Sequence, residues 1–138
     1  MQHDEFIGQV QSRARLDSRG AAERATRATL ETLAERIPAG LAEKLTAQLP
    51  QEIGEHIRRV EAAPDELTTG LRMSRQEFFD RVAQREGKGM PKAIHDARSV
   101  IEVVGEAVQG RVTEKIRDCL DDELATVLFS GSTGSVGR

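Results

Sequence analysis

The chain has no tryptophan, no tyrosine and only four phenylalanines among its 138 residues. Strand-favouring aromatics are nearly missing, and no stretch alternates apolar and polar residues as a half-buried strand does. A β-sheet protein is excluded on those grounds. A single cysteine, Cys119, rules out an internal disulfide and suits a reducing compartment. No window approaches the roughly 20 apolar residues that a membrane helix needs. The first residues, MQHDEFIGQV, carry Asp4 and Glu5 early and lack the apolar run of a secretory signal. A soluble, cytoplasmic protein is therefore expected. Charge of one sign is also in short supply: the net charge is -3, from 20 basic and 23 acidic side chains. Residues 1–63 carry 9 basic and 10 acidic groups, and residues 64–138 carry 11 and 13. Neither half offers a broad positive field to a phosphate backbone.

What remains is a helix-forming vocabulary of Ala, Leu, Glu and Arg. The expected fold class is all-α, and 138 residues suffice for one domain that buries roughly two-thirds of its unfolded surface. From Asp4 to about Arg15, Phe6, Ile7, Val10 and Ala14 share one side of a helix. Asp17 or Ser18 can cap the next helix, from about Gly20 to Ile37. In it Leu30, Leu33, Ala34 and Ile37 form an apolar stripe that the small Ala22 and Ala25 extend. Pro38 and Gly40 should end it. Leu41, Leu45 and Leu49 mark a short third helix, and Ile53, Ile57 and Val60 a fourth that opens at Pro50. Residues 61–73 read as a linker, with Leu67 and Leu71 packing down. Ser74 and Glu77 form a capping box before Phe78, Phe79 and Val82. A turn from Gly87 to Pro91 leads into a helix with Ile94, Ala97, Ile101, Val104 and Val108 inward. Val112, Ile116 and Leu120, then Leu124, Val127 and Leu128, make the last two. Residues 130–138, rich in Ser and Gly, predict a disordered tail.

Much of the first half recurs in the second. At a shift of 71, Leu30-Glu31 falls on Ile101-Glu102, Leu33 on Val104, Ile37 on Val108 and Leu41 on Val112. Glu43-Lys44 falls on Glu114-Lys115, Leu45 on Ile116, Leu49 on Leu120 and Ile53 on Leu124 at the same shift of 71. Phe6, Ile7 and Val10 fall on Phe78, Phe79 and Val82 at a shift of 72. Core residues and a charged pair keep their spacing together, which composition does not produce. The expectation is about eight helices, as two copies of a four-helix unit (residues 4–60 and 74–129) in one domain over 1–129. Approximate two-fold pseudo-symmetry is the economical way for the copies to meet.

The segments EFIGQVQSRARLDSRGAAERATRATLETLAERI and KLTAQLPQEI, followed by EFFDRVAQREG, resemble the bacterial family called domain of unknown function 2267. The resemblance spans roughly Asp4 to Phe129, and departs at Leu120-Asp121, where members often have Leu-Pro. It implies a small, duplicated, all-helical protein with no assigned activity, and it supplies no catalytic residues.

No residue pattern speaks for catalysis. His3, His56 and His95 are scattered; Glu52 and His56 share a helix face, but HExxH is absent, so no metal and no cofactor are expected. Cys119 precedes the acidic run Asp121, Asp122, Glu123 and has no histidine beside it in sequence, so it reads as a small packing residue. Gly87-Lys88-Gly89 lacks the spacing of a phosphate loop, and Gly131, Gly134 and Gly137 lead into nothing. The segment from Leu41 to Val60 could pass for a helix-turn-helix with Arg58 and Arg59 at phosphates. Glu52, Glu55 and Pro50 speak against it.

The expected function is a non-catalytic protein-interaction module binding a protein partner or itself, not an enzyme. The alternative is a nucleic-acid-associated regulator using the 41–60 helix pair, and a third reading is a binder of an apolar small molecule between the copies. Candidate interaction residues come from a polar pattern that both copies share. Arg27, Glu31 and Glu35 are spaced by four, and Arg98, Glu102 and Glu106 repeat them 71 residues later. The plain reading is a solvated ion pair along one helix. The sharper reading places arginines at the line where the copies meet, locked by carboxylates or presented to a partner.

Overall fold

The computed structural model describes residues 1–61 and 72–130, and its helices follow in chain order. They are α1 (His3–Ala14), α2 (Arg19–Arg36), α3 (Ala39–Gln48), α4 (Gln51–Glu61), α5 (Arg75–Glu86), α6 (Met90–Ala107), α7 (Val112–Cys119) and α8 (Asp122–Leu128). The described residues contain no strand. The fold is all-α, as the composition requires.

Local signals start and stop these helices. Ser18 takes the capping role: its Oγ accepts the Ala21 amide at 3.0 Å and satisfies one of the free donors at the start of α2. Ile37 ends α2 in an extended conformation because Pro38 follows it. Gly40, expected to help end α2, instead lies within α3. The Ser74–Glu77 capping box forms at α5, with both reciprocal hydrogen bonds at 3.1 Å. Pro91, expected in a loop, sits in the first turn of α6, where its missing N–H loses nothing.

The two 18-residue helices, α2 and α6, run through the centre of the molecule. Each packs against the other and against both α1 and α5, α4 and α8 lie outside them, and α3 meets α4 and α7. The apolar stripes read from the sequence are the core. Phe6, Val10, Leu30, Leu33, Ile37, Ile53, Phe78, Val82 and Leu124 are all fully buried. Ala22 and Ala25 are fully buried too, and their short side chains leave α2 room for close neighbours on several sides. Leu41, Val60, Ile94 and Val127 are only partly buried, at the rim. At the α3–α4 crossing a Cβ on Gly54 would stand 3.0 Å from the Thr46 Cγ2, so a larger residue would push the helices apart.

Three of the buried threonine hydroxyls are satisfied within their own helices. Thr26, Thr32 and Thr46 each donate to the carbonyl four residues back, at 2.8–2.9 Å. The linker expected over 61–73 is structured at both ends: Glu61 closes α4, and Met73 is buried in the core. Its middle, with Leu67 and Leu71, lies outside the described residues. So does the expected tail after Ser130.

Candidate functional site

The charged residues singled out above lie on α2 and α6, and α5 and α1 supply their partners. On α2, Glu31 and Glu35 are one turn apart. Arg85 of α5 grips Glu35 with two hydrogen bonds, Nη1 to Oε1 at 3.0 Å and Nη2 to Oε2 at 2.9 Å. Its Nη1 also donates to the Thr32 hydroxyl at 2.7 Å, and its Nε lies 3.5 Å from Glu31. Arg81 adds a bond to Glu35 at 3.1 Å, and Arg59 of α4 stands 3.6 Å from Glu31. Two carboxylates thus face three guanidinium groups from two other helices.

A related arrangement stands on α6. Arg13 of α1 donates to Glu102 at 3.0 Å and to Glu106 at 2.6 Å, and Gln9 accepts from the same guanidinium at 3.1 Å. The hydrogen bond to Glu106, against some burial, holds the Arg13 pKa above its ordinary value. Arg13 and Arg85 are 72 residues apart, Glu31 and Glu102 are 71 apart, and so are Glu35 and Glu106. The first helix of each half therefore binds the long helix of the other half.

This corrects the pairing expected along α2. Glu31 and Glu35 do not serve Arg27; they turn to Arg59, Arg81 and Arg85. The reason is geometric: α5 packs along that side of α2, while Arg27 is exposed. Arg98 is half-buried on α6. Sequence reasoning missed Arg13 and Arg85, although they repeat at the shift that relates Phe6 to Phe78.

His56 extends the α2–α5 network through α4. Arg59 Nη2 lies 2.6 Å from His56 Nδ1, and a guanidinium can only donate, so Nδ1 accepts and the ring proton sits on Nε2. Burial, then the positive charge of Arg59 and Arg27, lowers the His56 pKa to about 4. The ring is neutral at pH 7 and already used, which makes it a poor general base.

A different cluster lies under the α5–α6 turn. The side chains of Glu86 and Asp96 are fully buried, with Lys88 Nζ 3.7 Å from Glu86 and 3.6 Å from Asp96. Lys92 Nζ stands 3.2 Å from Asp96 and donates to the Ala14 carbonyl, at the end of α1, at 3.1 Å. Burial first, then the hydrogen bond and negative charge of Asp96, push Glu86 up to about 8. Nothing in the sequence flags this pair, since neither carboxyl recurs at the repeat shift.

An open depression of about 500 Å³ lies between α7 and α8, with Arg117 5.9 Å above the Phe129 ring at one side and Asp118 and Asp122 at the other. Its Thr126 hydroxyl is turned to its own helix, donating to the Asp122 carbonyl at 2.8 Å. Cys119 is partly exposed, and its carbonyl accepts a bond from Arg36. Among the described residues no group of His, Cys, Asp and Glu is arranged to hold a metal ion.

No curated protein matches the chain. A family model described as uncharacterized conserved protein (DUF2267) matches residues 3–127, and the chain belongs to that family.

Proposed function

We propose that the protein is a non-catalytic interaction module of the bacterial cytoplasm, built as two copies of a four-helix unit with approximate two-fold symmetry. Support for the duplication comes from matched lengths: α1 and α5 have 12 residues each, and α2 and α6 have 18 each. The turns agree as well. Arg15 and Gly87, 72 apart, both adopt positive φ, and Leu49 and Leu120, 71 apart, both end their helices at φ -92°.

The observation that carries the functional reading is how the strongest acids and bases are used. Arg13, Arg81, Arg85, Glu31, Glu35, Glu102 and Glu106 hold helices to one another. The carboxyl with the most perturbed proton affinity, Glu86, is shut away from any substrate. A catalytic site needs such groups convergent and accessible. What the molecule presents outward is a mixed-charge helical surface, including Arg27 on α2. Among the described residues no helix is long and apolar enough to cross a membrane. The occupant of that surface is a protein partner or a second copy of the chain. The nucleic-acid reading is weaker because Arg58 is bound to Glu55 at 2.9 Å, and Arg59 to His56.

The test is sedimentation of the pure protein, with capture of partners from native extract, for the parent and for Arg27→Glu. A stoichiometric complex or dimer that Arg27→Glu weakens, with melting unchanged, supports the reading. A protein that stays monomeric and captures nothing, yet binds duplex DNA with a steep salt dependence, overturns it.

A further inference from the structure

Glu86 and Asp96 occupy the one place where the α5–α6 turn meets the end of α1. Both side chains have no solvent exposure, and none of their four oxygens receives a well-formed hydrogen bond from an N–H donor. Two carboxyl groups closed off in this way are stable together when they share a proton. Above them the turn is Gly87-Lys88-Gly89. Gly87 has φ 77°, and neither glycine has a neighbouring atom within 4 Å of where a Cβ would be. No side chain at either glycine packs the turn down, and its own ties are the Gly87 and Lys88 amides, which donate to the Ala83 carbonyl at 2.8 and 3.1 Å. Lys92 joins the parts, because one ammonium serves both Asp96 and the last carbonyl of α1.

We propose that the Glu86–Asp96 pair is a proton-operated latch: with a shared proton it holds the α5–α6 turn against α1, and loss of that proton releases the turn. Release breaks the Glu86 O–H bond, hands the proton to water or hydroxide, and leaves two carboxylates side by side. Charges on every neighbouring element bear on this step. Asp96 opposes ionisation, while Lys88 in the turn and Lys92 on α6 favour it. Glu31 and Glu35 of α2 are turned to Arg59, Arg81 and Arg85, and α1 contributes the Ala14 carbonyl. The lysines are 26% and 40% exposed and screened by water, whereas the carboxyl groups are wholly buried. Burial therefore outweighs the two cations, and Glu86 keeps its proton to about pH 8.

The sign follows from proton counting. Between the ordinary carboxyl range and about 8 the closed turn holds a proton that the open turn has lost. Opening therefore becomes easier with rising pH and stops changing above about 8. The test is amide hydrogen exchange of the full chain from pH 6 to 9.5, each rate divided by that of an unstructured peptide. Opening of residues 87–93 should rise about tenfold per pH unit and level off near 8, with α4 as an unresponsive reference. Glu86→Gln should abolish the rise, and Lys88→Gln should move the plateau to higher pH, because Lys88 lowers the Glu86 affinity. A flat parent profile, or a rise that survives in Glu86→Gln, overturns the proposal. Should Glu86→Gln fail to fold, Lys88→Gln decides: a plateau that stays in place or moves down overturns it.

Discussion

The α2–α5 face and the α1–α6 face share an arginine and two glutamates, Arg85 with Glu31 and Glu35 and Arg13 with Glu102 and Glu106, yet they differ in how the second glutamate is shielded. Glu35 is only 12% exposed in its side chain, and Arg85 grips it from both oxygens while Arg81 and Thr32 complete the set. Glu106 is 52% exposed, and Arg13 divides its nitrogens between it and Glu102. The contrast lies in the second glutamate of each set: Glu35 is the better shielded, so a partner lost there should cost more than one lost at Glu106, while the arginines of both sets reach water. A second contrast runs the other way. The positions matching Glu86 and Asp96 are Ala14 and Ala25, both fully buried. Where one half closes its turn with methyl groups, the other closes it with two acids. Helices of equal length thus carry unequal polarity at their turns.

The core should show the least difference between halves and the largest effects. Leu33→Ala should lower the unfolding free energy by about 2–5 kcal/mol and Val104→Ala by about 1–3, since fewer atoms are lost. Urea denaturation checks both, and a neutral result at either would mean that its stripe does not face inward. The ion pairs should separate the faces. Arg85→Ala, which strips most of the support from Glu35, should cost about 2–3 kcal/mol, and Arg13→Ala about 1. Equal losses would erase the contrast in shielding.

Acid should sharpen the comparison at His56, whose matching position is Val127. Its folded pKa lies below the unfolded value, so folded protein resists the proton that unfolded chain takes up. Stability contributed by the neutral ring is complete above about pH 6.5 and is lost as pH falls through about 4. After allowance for partial exposure the loss is about 1 kcal/mol, and His56→Gln should remove it from the melting profile between pH 7 and 4. The smallest effect belongs to the first turns. Arg15 sits at φ 56° where the second half has Gly87 at φ 77°. Arg15→Gly should stabilise by about 0.5–1 kcal/mol, and Gly87→Ala should destabilise by about 1, both read from melting midpoints.

The helices were most legible where stripe and cap agreed, as with Leu30, Leu33 and Ile37 behind Ser18, or Phe78 and Val82 behind Ser74; elsewhere the apolar stripe alone marked them. The errors are local. Gly40 is expected to help end a helix and Pro91 to lie in a turn, and the α3 and α6 starts accept them. The ion pairs were half legible. Spacing identified Glu31 and Glu102 as shared features, but helical period offers partners only within one helix. Arg13 and Arg85 come from other helices, 89 and 54 residues away from those glutamates. The buried acids were illegible for a plainer reason. Glu86 and Asp96 look like ordinary surface charges until three helix ends close over them, and a single sequence carries no record of that closure.

The crossed pairing also has a consequence for the order in which the chain can finish folding. The carboxylates of α2 wait for Arg85, 50 residues downstream of Glu35, and Arg13 waits for Glu106, 93 residues further along. A nascent chain that has emerged only through α4 carries Glu31 and Glu35 without two of their three guanidinium partners and exposes the apolar sides of α1 and α2. Most helical proteins earn speed from contacts close in sequence; here the decisive contacts are distant, and loop closure comes first. On the ribosome the first half is a waiting surface, which α5, α6 and then α7 must cover.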